Sequence, residues 1–70
     1  MYNSKLASLI EDAVHDCITY GCGRASYGDR RYYIDVDAFW EENETDIEIT
    51  VRENGVIRFT FTERIPEEYR

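Results

Sequence analysis

Between Tyr32 and Thr62, apolar side chains recur at every second position in three separate runs, and this alternation constrains the fold more than any other feature. Tyr32, Ile34, Val36, Ala38 and Trp40 alternate with Tyr33, Asp35, Asp37 and Phe39. Ile47, Ile49 and Val51 alternate with Glu48, Thr50 and Arg52. Ile57, Phe59 and Phe61 alternate with Arg58, Thr60 and Thr62. Successive side chains of a strand point to opposite faces, so each run predicts a strand that is apolar on one side. Three such strands, at about 32–40, 46–53 and 56–63, make a half-buried antiparallel sheet.

Ahead of them the period is helical. Leu6, Ile10, Ala13, Cys17 and Tyr20 follow three- and four-residue steps, with Leu9 and Val14 widening the stripe. This predicts a helix over 4–20, capped by Asn3 or Ser4 and stopped by a left-handed Gly21. Residues 21–31 hold Gly21, Gly23, Gly28, Ser26 and Asp29 with no sustained period, which predicts a loop. After the last strand, a tail over 65–70 begins at Ile65-Pro66, with a single helical turn through Glu67, Glu68 and Tyr69 and a loosely held end. The expected architecture is α+β: one helix packed on a three-stranded antiparallel meander, in one domain spanning 1–70.

Parity also sets an expected register. A two-residue turn at Asn54-Gly55 would place Val51 opposite Arg58, a charge on the apolar face. A three-residue loop, Glu53-Asn54-Gly55, pairs Val51 with Ile57, Ile49 with Phe59 and Ile47 with Phe61, so a type I turn with Gly55 in a bulge is expected. For the first hairpin, a four-residue loop from Glu41 to Glu44 pairs Ala38 with Ile47, Val36 with Ile49 and Ile34 with Val51. Asp37 then faces Glu48, and like charges directly opposite are destabilising.

The chain has 70 residues and a formal net charge of −7. That balance argues against direct binding to nucleic acid or an anionic membrane, both of which are driven by Lys and Arg. No apolar run is long enough for a membrane span and no signal peptide is visible, which leaves the cytoplasm as the expected compartment. Cys17 and Cys22, in C-x4-C spacing, fit neither a disulfide scaffold nor a redox or zinc motif, so both are expected as thiols. A domain this small is marginally stable and commonly leans on a partner or on self-association.

Charge is unevenly spread. Residues 21–34 are net positive and 35–70 strongly negative. Asp35, Asp37, Glu41, Glu42, Glu44, Asp46 and Glu48 form a run without a basic residue, with Phe39 on the same outer parity. These eight residues are the expected partner-binding surface, matched to a basic surface on another protein. Arg24, Tyr27, Arg30, Arg31 and Tyr33 form a second candidate contact surface, since Tyr and Arg carry much interface energy and glycines let backbone N–H groups approach an anion. The glycines there match neither a dinucleotide fingerprint nor a P-loop. His15 has Glu11 and Asp12 at helical spacing, but a nucleophile would have to come from Cys17, which lies on the apolar stripe, or from Cys22, so an exposed helix histidine is expected; His15, Cys17 and Cys22 lack a fourth zinc ligand. Asp35-x-Asp37 lacks the glycine and distal Glu of a calcium loop. No catalytic residue, metal or cofactor is expected.

In size and charge the chain resembles the small acidic inhibitors that phages and plasmids direct against host defence nucleases, anti-CRISPR proteins among them. The resemblance is one of type and carries over no residues. The expected function is a non-enzymatic protein-binding module. The alternatives are an assembly protein that self-associates through its sheet, as a homodimer for example, and a binder of small anionic ligands at Tyr20–Tyr33.

Overall fold

The structure, a computed structural model, describes residues 4–41 and 44–65. Its elements are α1 (Ser4–Tyr20), β1 (Cys22–Gly28), β2 (Tyr33–Phe39), β3 (Asp46–Glu53) and β4 (Val56–Arg64). The strands form one antiparallel sheet in the order β1-β2-β3-β4. The fold is therefore α+β, with four strands where three were expected. The expected Asn3 or Ser4 cap, the Pro66–Tyr69 turn and the partner-binding role of Glu42 lie outside the described residues and side chains.

The extra strand is β1, within the segment expected as a loop. It escapes the hydrophobic pattern because two of its three inward positions are small. Gly23 faces Ala38 and Ala25 faces Val36 across the β1–β2 ladder. Small residues there let α1 sit directly on the strand. A Cβ built on Gly23 would lie 2.1 Å from the Ala13 carbonyl oxygen and 2.8 Å from the Cys17 backbone nitrogen. The absence of a side chain is what brings helix and sheet together.

α1 buries Leu9, Ala13 and Cys17, with Leu6, Ile10, Val14 and Ile18 packed around them. Tyr20, expected on the same stripe, is 77% exposed. The chain leaves the helix one residue later, so Tyr20 has no sheet beneath it. The stop itself is as expected: Gly21 has φ +90° and its N–H donates to the Cys17 carbonyl at 2.7 Å. On the sheet, Ile34, Val36, Ala38, Ile47, Ile49 and Val51 complete the core, as the period-two reading requires. Ile65 joins them fully buried, its N–H bonded to the Thr45 carbonyl at 2.9 Å. β4 ends at Arg64, so Ile65 lies where the tail is expected to begin, but its burial shows that the core continues one residue past the strand.

Both expected registers are corrected; parity survives between β2 and β3 and, past the bulge, at Phe59 and Phe61, but Ile57, expected inward, pairs with Arg52 on the outer face and is 56% exposed. In the β3–β4 hairpin, Asn54 and Gly55 have φ +51° and +84°, so the turn has two residues and is of type I′. Glu53 pairs with Val56 and Arg52 with Ile57. A bulge between Val51 and Arg52 then resets the ladder, so that Val51 meets Phe59 and Ile49 meets Phe61. The charge conflict that argued against this turn is removed within the strand, by leaving Arg58 unpaired. In the β2–β3 hairpin, Ala38 meets Ile49, Val36 meets Val51 and Ile34 meets Glu53. That is a two-residue slip from the expected pairing, which keeps every side chain on its face and lengthens the loop.

Candidate functional site

The slip rearranges the charged outer face. Asp37 lies opposite Thr50, and Glu48 opposite Phe39, so the expected Asp37–Glu48 repulsion does not exist. Instead β1 and β3 each bring an arginine to Asp37. The Arg24 guanidinium donates from Nε to Asp37 Oδ1 at 2.6 Å and from Nη2 to Oδ2 at 3.3 Å. Arg52 Nη1 donates to the same Oδ2. The Arg24 hydrogen bond, with that from Arg52, holds the Asp37 carboxyl below its ordinary range against the opposing effect of burial.

Asp35 sits beside this pair and is only 8% exposed. Arg52 Nη1 lies 3.8 Å from Asp35 Oδ1, and that oxygen accepts no hydrogen bond among the described residues. Two carboxylates expected as docking groups are therefore engaged within the sheet. The segment 35–48 lacks basic residues in sequence, but the neighbouring strands supply them in space.

The remaining candidates gather at one end of the sheet. Phe39, Glu41, Glu44, Asp46 and Glu48, together with Thr62, line an open concavity of about 350 Å³. Phe39 is 53% exposed. None of these four carboxylates forms an ion pair among the described residues. The rim is shaped by local bonds. Trp40 packs against the core and donates its indole Nε1–H to the Glu44 carbonyl at 2.8 Å, while Thr45 Oγ1 donates to Asp46 Oδ1 at 3.4 Å. The arrangement presents an aromatic face ringed by uncompensated carboxylates, which suits a cationic side chain: the ring attracts a cation over its face, and the acids supply acceptors.

The other end of the sheet has the opposite character. Asp29 Oδ1 accepts from the N–H groups of Arg31 and Tyr32 at 2.8 and 3.1 Å, closing the β1–β2 turn and lowering the Asp29 carboxyl's pKa. Arg30 and Arg31 are exposed at its tip and belong to no ion pair among the described residues. Tyr32 donates its hydroxyl to Glu53 at 2.8 Å, and Arg58 donates to the same carboxylate at 2.6 Å. Lys5 lies 4.5 Å from the centre of the Tyr27 ring. The secondary contact set does not converge: Arg24 is spent on Asp37, Tyr27 lies on the helix side of the sheet, and Tyr33 lies on the outer face.

Sequence reasoning missed Arg52 as a partner of the acids; that the arginines of 21–31 offset nearby acids was legible, but not that Arg24 would pair with Asp37. Arg52 shares the outer parity of β3, and only the register hid its place beside Asp35. Arg24 required recognising β1, whose only signal is a small residue on each side of it, Gly23 and Ala25. Cys17 is buried, which raises its thiol pKa, and Cys22 is exposed; both are free thiols. His15 is exposed on α1. Among the described residues no helix is long and apolar enough to cross a membrane, and no group of three potential metal ligands assembles.

Comparison with protein-family models, curated proteins and solved structures found no match.

Proposed function

We propose that this chain is a non-enzymatic binding module that docks on a basic surface of another protein through the carboxylate-rich end of its sheet. One observation carries the reading: half-exposed Phe39 is surrounded by Glu41, Glu44, Asp46 and Glu48, and none of those acids is neutralised by an ion pair among the described residues. Desolvating unpaired carboxylates is costly unless a partner brings cations, so such a surface favours basic partners over neutral ones. In its finer form the partner is a nucleic-acid-binding protein, and occupation of its basic groove excludes nucleic acid, as with the acidic inhibitors the chain resembles in size and charge.

Asp37 and Asp35 belong to the sheet's own ion pairs, so the docking residues are Phe39, Glu41, Glu44, Asp46 and Glu48. A labelled oligo-arginine peptide serves as the probe in fluorescence anisotropy. Glu44→Lys/Glu48→Lys is expected to weaken binding at least tenfold, and Phe39→Ala several-fold, with the thermal melt unchanged. Undiminished binding by the double variant would refute the reading.

A further inference from the structure

β4 closes the sheet on one side only. Among the described residues no strand lies beyond it, whereas the opposite edge strand, β1, is packed against α1. One bond fixes which backbone groups face outward. The Ile65 N–H donates to the Thr45 carbonyl, and the ladder from Asp46–Arg64 to Val51–Phe59 is regular. Hydrogen-bonded and non-hydrogen-bonded pairs alternate along an antiparallel ladder. Phe59, Phe61 and Glu63 therefore turn their N–H and C=O groups toward β3, and Thr60, Thr62 and Arg64 turn theirs to the open edge. β4 has no buried residue along its nine positions, and Val56 and Ile57 are 59% and 56% exposed. It contains no proline, and its bulge lies near its start. Among the described residues nothing covers the outer edge of 59–64, which is a template for another strand.

We propose that β4 pairs antiparallel with β4 of a second copy, about a two-fold axis at Thr60, to give one continuous sheet. Charge selects both the occupant and its direction. The turn end of the sheet gathers Lys5, Arg30, Arg31 and Arg58 against Asp29 and Glu53. The far end gathers Glu41, Glu44, Asp46, Glu48 and Glu63 against Arg64. Antiparallel pairing sets each copy's basic end beside its partner's acidic end, whereas parallel pairing sets like ends together. α1 runs with its N-terminus toward the basic end, so its dipole adds to the same polarity.

The register follows from the same charges. An axis at Thr60 places Arg58 opposite Thr62 of the partner subunit. An axis at Phe61 would place Arg58 opposite Arg64 of the partner subunit, a like-charge pair on both sides of the axis. An axis at Phe59 would bring the two bulges to the centre of the new ladder, where its bonds are least regular. This inference is separate from the docking reading: a monomer that binds the peptide, or a dimer that does not, tells the two apart.

Sedimentation equilibrium of the full chain at rising concentration is expected to show a mass twice that of the monomer. Thr60→Pro, which removes an outward N–H that β3 does not use, is expected to abolish the dimer while circular dichroism keeps the monomer's spectrum. Cross-linking provides a second test that does not depend on how that variant folds. On a Cys22→Ser background, Thr60→Cys is expected to form a covalent dimer under mild oxidation, since directly opposed residues of a hydrogen-bonded pair have Cα atoms about 5.5 Å apart, within disulfide reach. Thr62→Cys lies ~13 Å from its symmetry mate and is expected not to cross-link. A wild-type chain that stays monomeric at every concentration, or cross-linking at 62 in place of 60, overturns the proposal.

Discussion

Asp37 shows how a residue's role is set by what the fold places beside it. Its carboxylate takes hydrogen bonds from Arg24 and Arg52, on the strands to either side, and so ties β1 to β2 and β2 to β3. Asp37→Asn is expected to lower stability near neutral pH by about 1 kcal/mol, because the pair is only partly shielded from solvent. The sign with pH follows from its depressed pKa. The contribution is complete above the ordinary carboxylate value of 3.8 and is lost as pH falls through the lower folded-state value. Urea titrations of wild type and variant are therefore expected to differ at pH 7 and to converge in acid. Gly23 is the opposite case, a residue whose contribution is the space it leaves. Gly23→Ala places a methyl against the Ala13 carbonyl oxygen and lifts α1 off β1, at an expected cost of about 3 kcal/mol, read as a fall in the urea midpoint.

At the scale of elements, the β3–β4 turn does more than reverse the chain. The Asn54 N–H donates to the Tyr33 carbonyl at 2.7 Å, and its Oδ1 accepts from the Tyr33 N–H at 2.9 Å. The turn thereby clasps the start of β2, two strands from β4. Asn54 also adopts a positive φ, which Asn tolerates better than most residues. Asn54→Ala loses both the acceptor and that tolerance and is expected to cost about 1–2 kcal/mol in a thermal or urea melt. Asn54→Asp keeps the acceptor and is expected to cost less. The bulge at Arg58 belongs with this turn. The type I′ geometry suits the right-handed twist of the strands, and the bulge then returns Phe59 and Phe61 to the side of Val51 and Ile49.

Over the whole molecule the charge is arranged by position along the strands rather than by face. The middle of the outer face is neutralised by Arg24 and Arg52, one sheet end is acidic and the other carries the exposed Arg30 and Arg31. Binding that depends on the acidic end is expected to be salt-dependent: affinity for the oligo-arginine probe falls steeply as the screening length shrinks from about 10 Å at 0.1 M to about 3 Å at 1 M salt. An affinity unchanged across that range would show that the contact is apolar, centred on Phe39, rather than electrostatic. The same polarity keeps identical copies from stacking end to like end while leaving an antiparallel side-by-side arrangement attractive.

The sequence by itself determined what one-dimensional periodicity can carry: the span of α1, its stop at Gly21, three of the four strands, and the inward parity of Ile34, Val36, Ile47, Ile49 and Val51. These are legible because burial on one face repeats with the geometry of the element. Tertiary structure decided the rest. β1 became a strand because α1 needed glycine and alanine beneath it, and small residues leave no hydrophobic period. The registers were decided by a bulge and by a longer loop, which keep parity while moving partners by two, so no pattern of alternation distinguishes them. Which carboxylates remain available depended on those registers, since only the folded sheet reveals that Asp37 is held by two arginines while Glu41, Glu44, Asp46 and Glu48 form no ion pair among the described residues, even with Arg64 opposite Asp46.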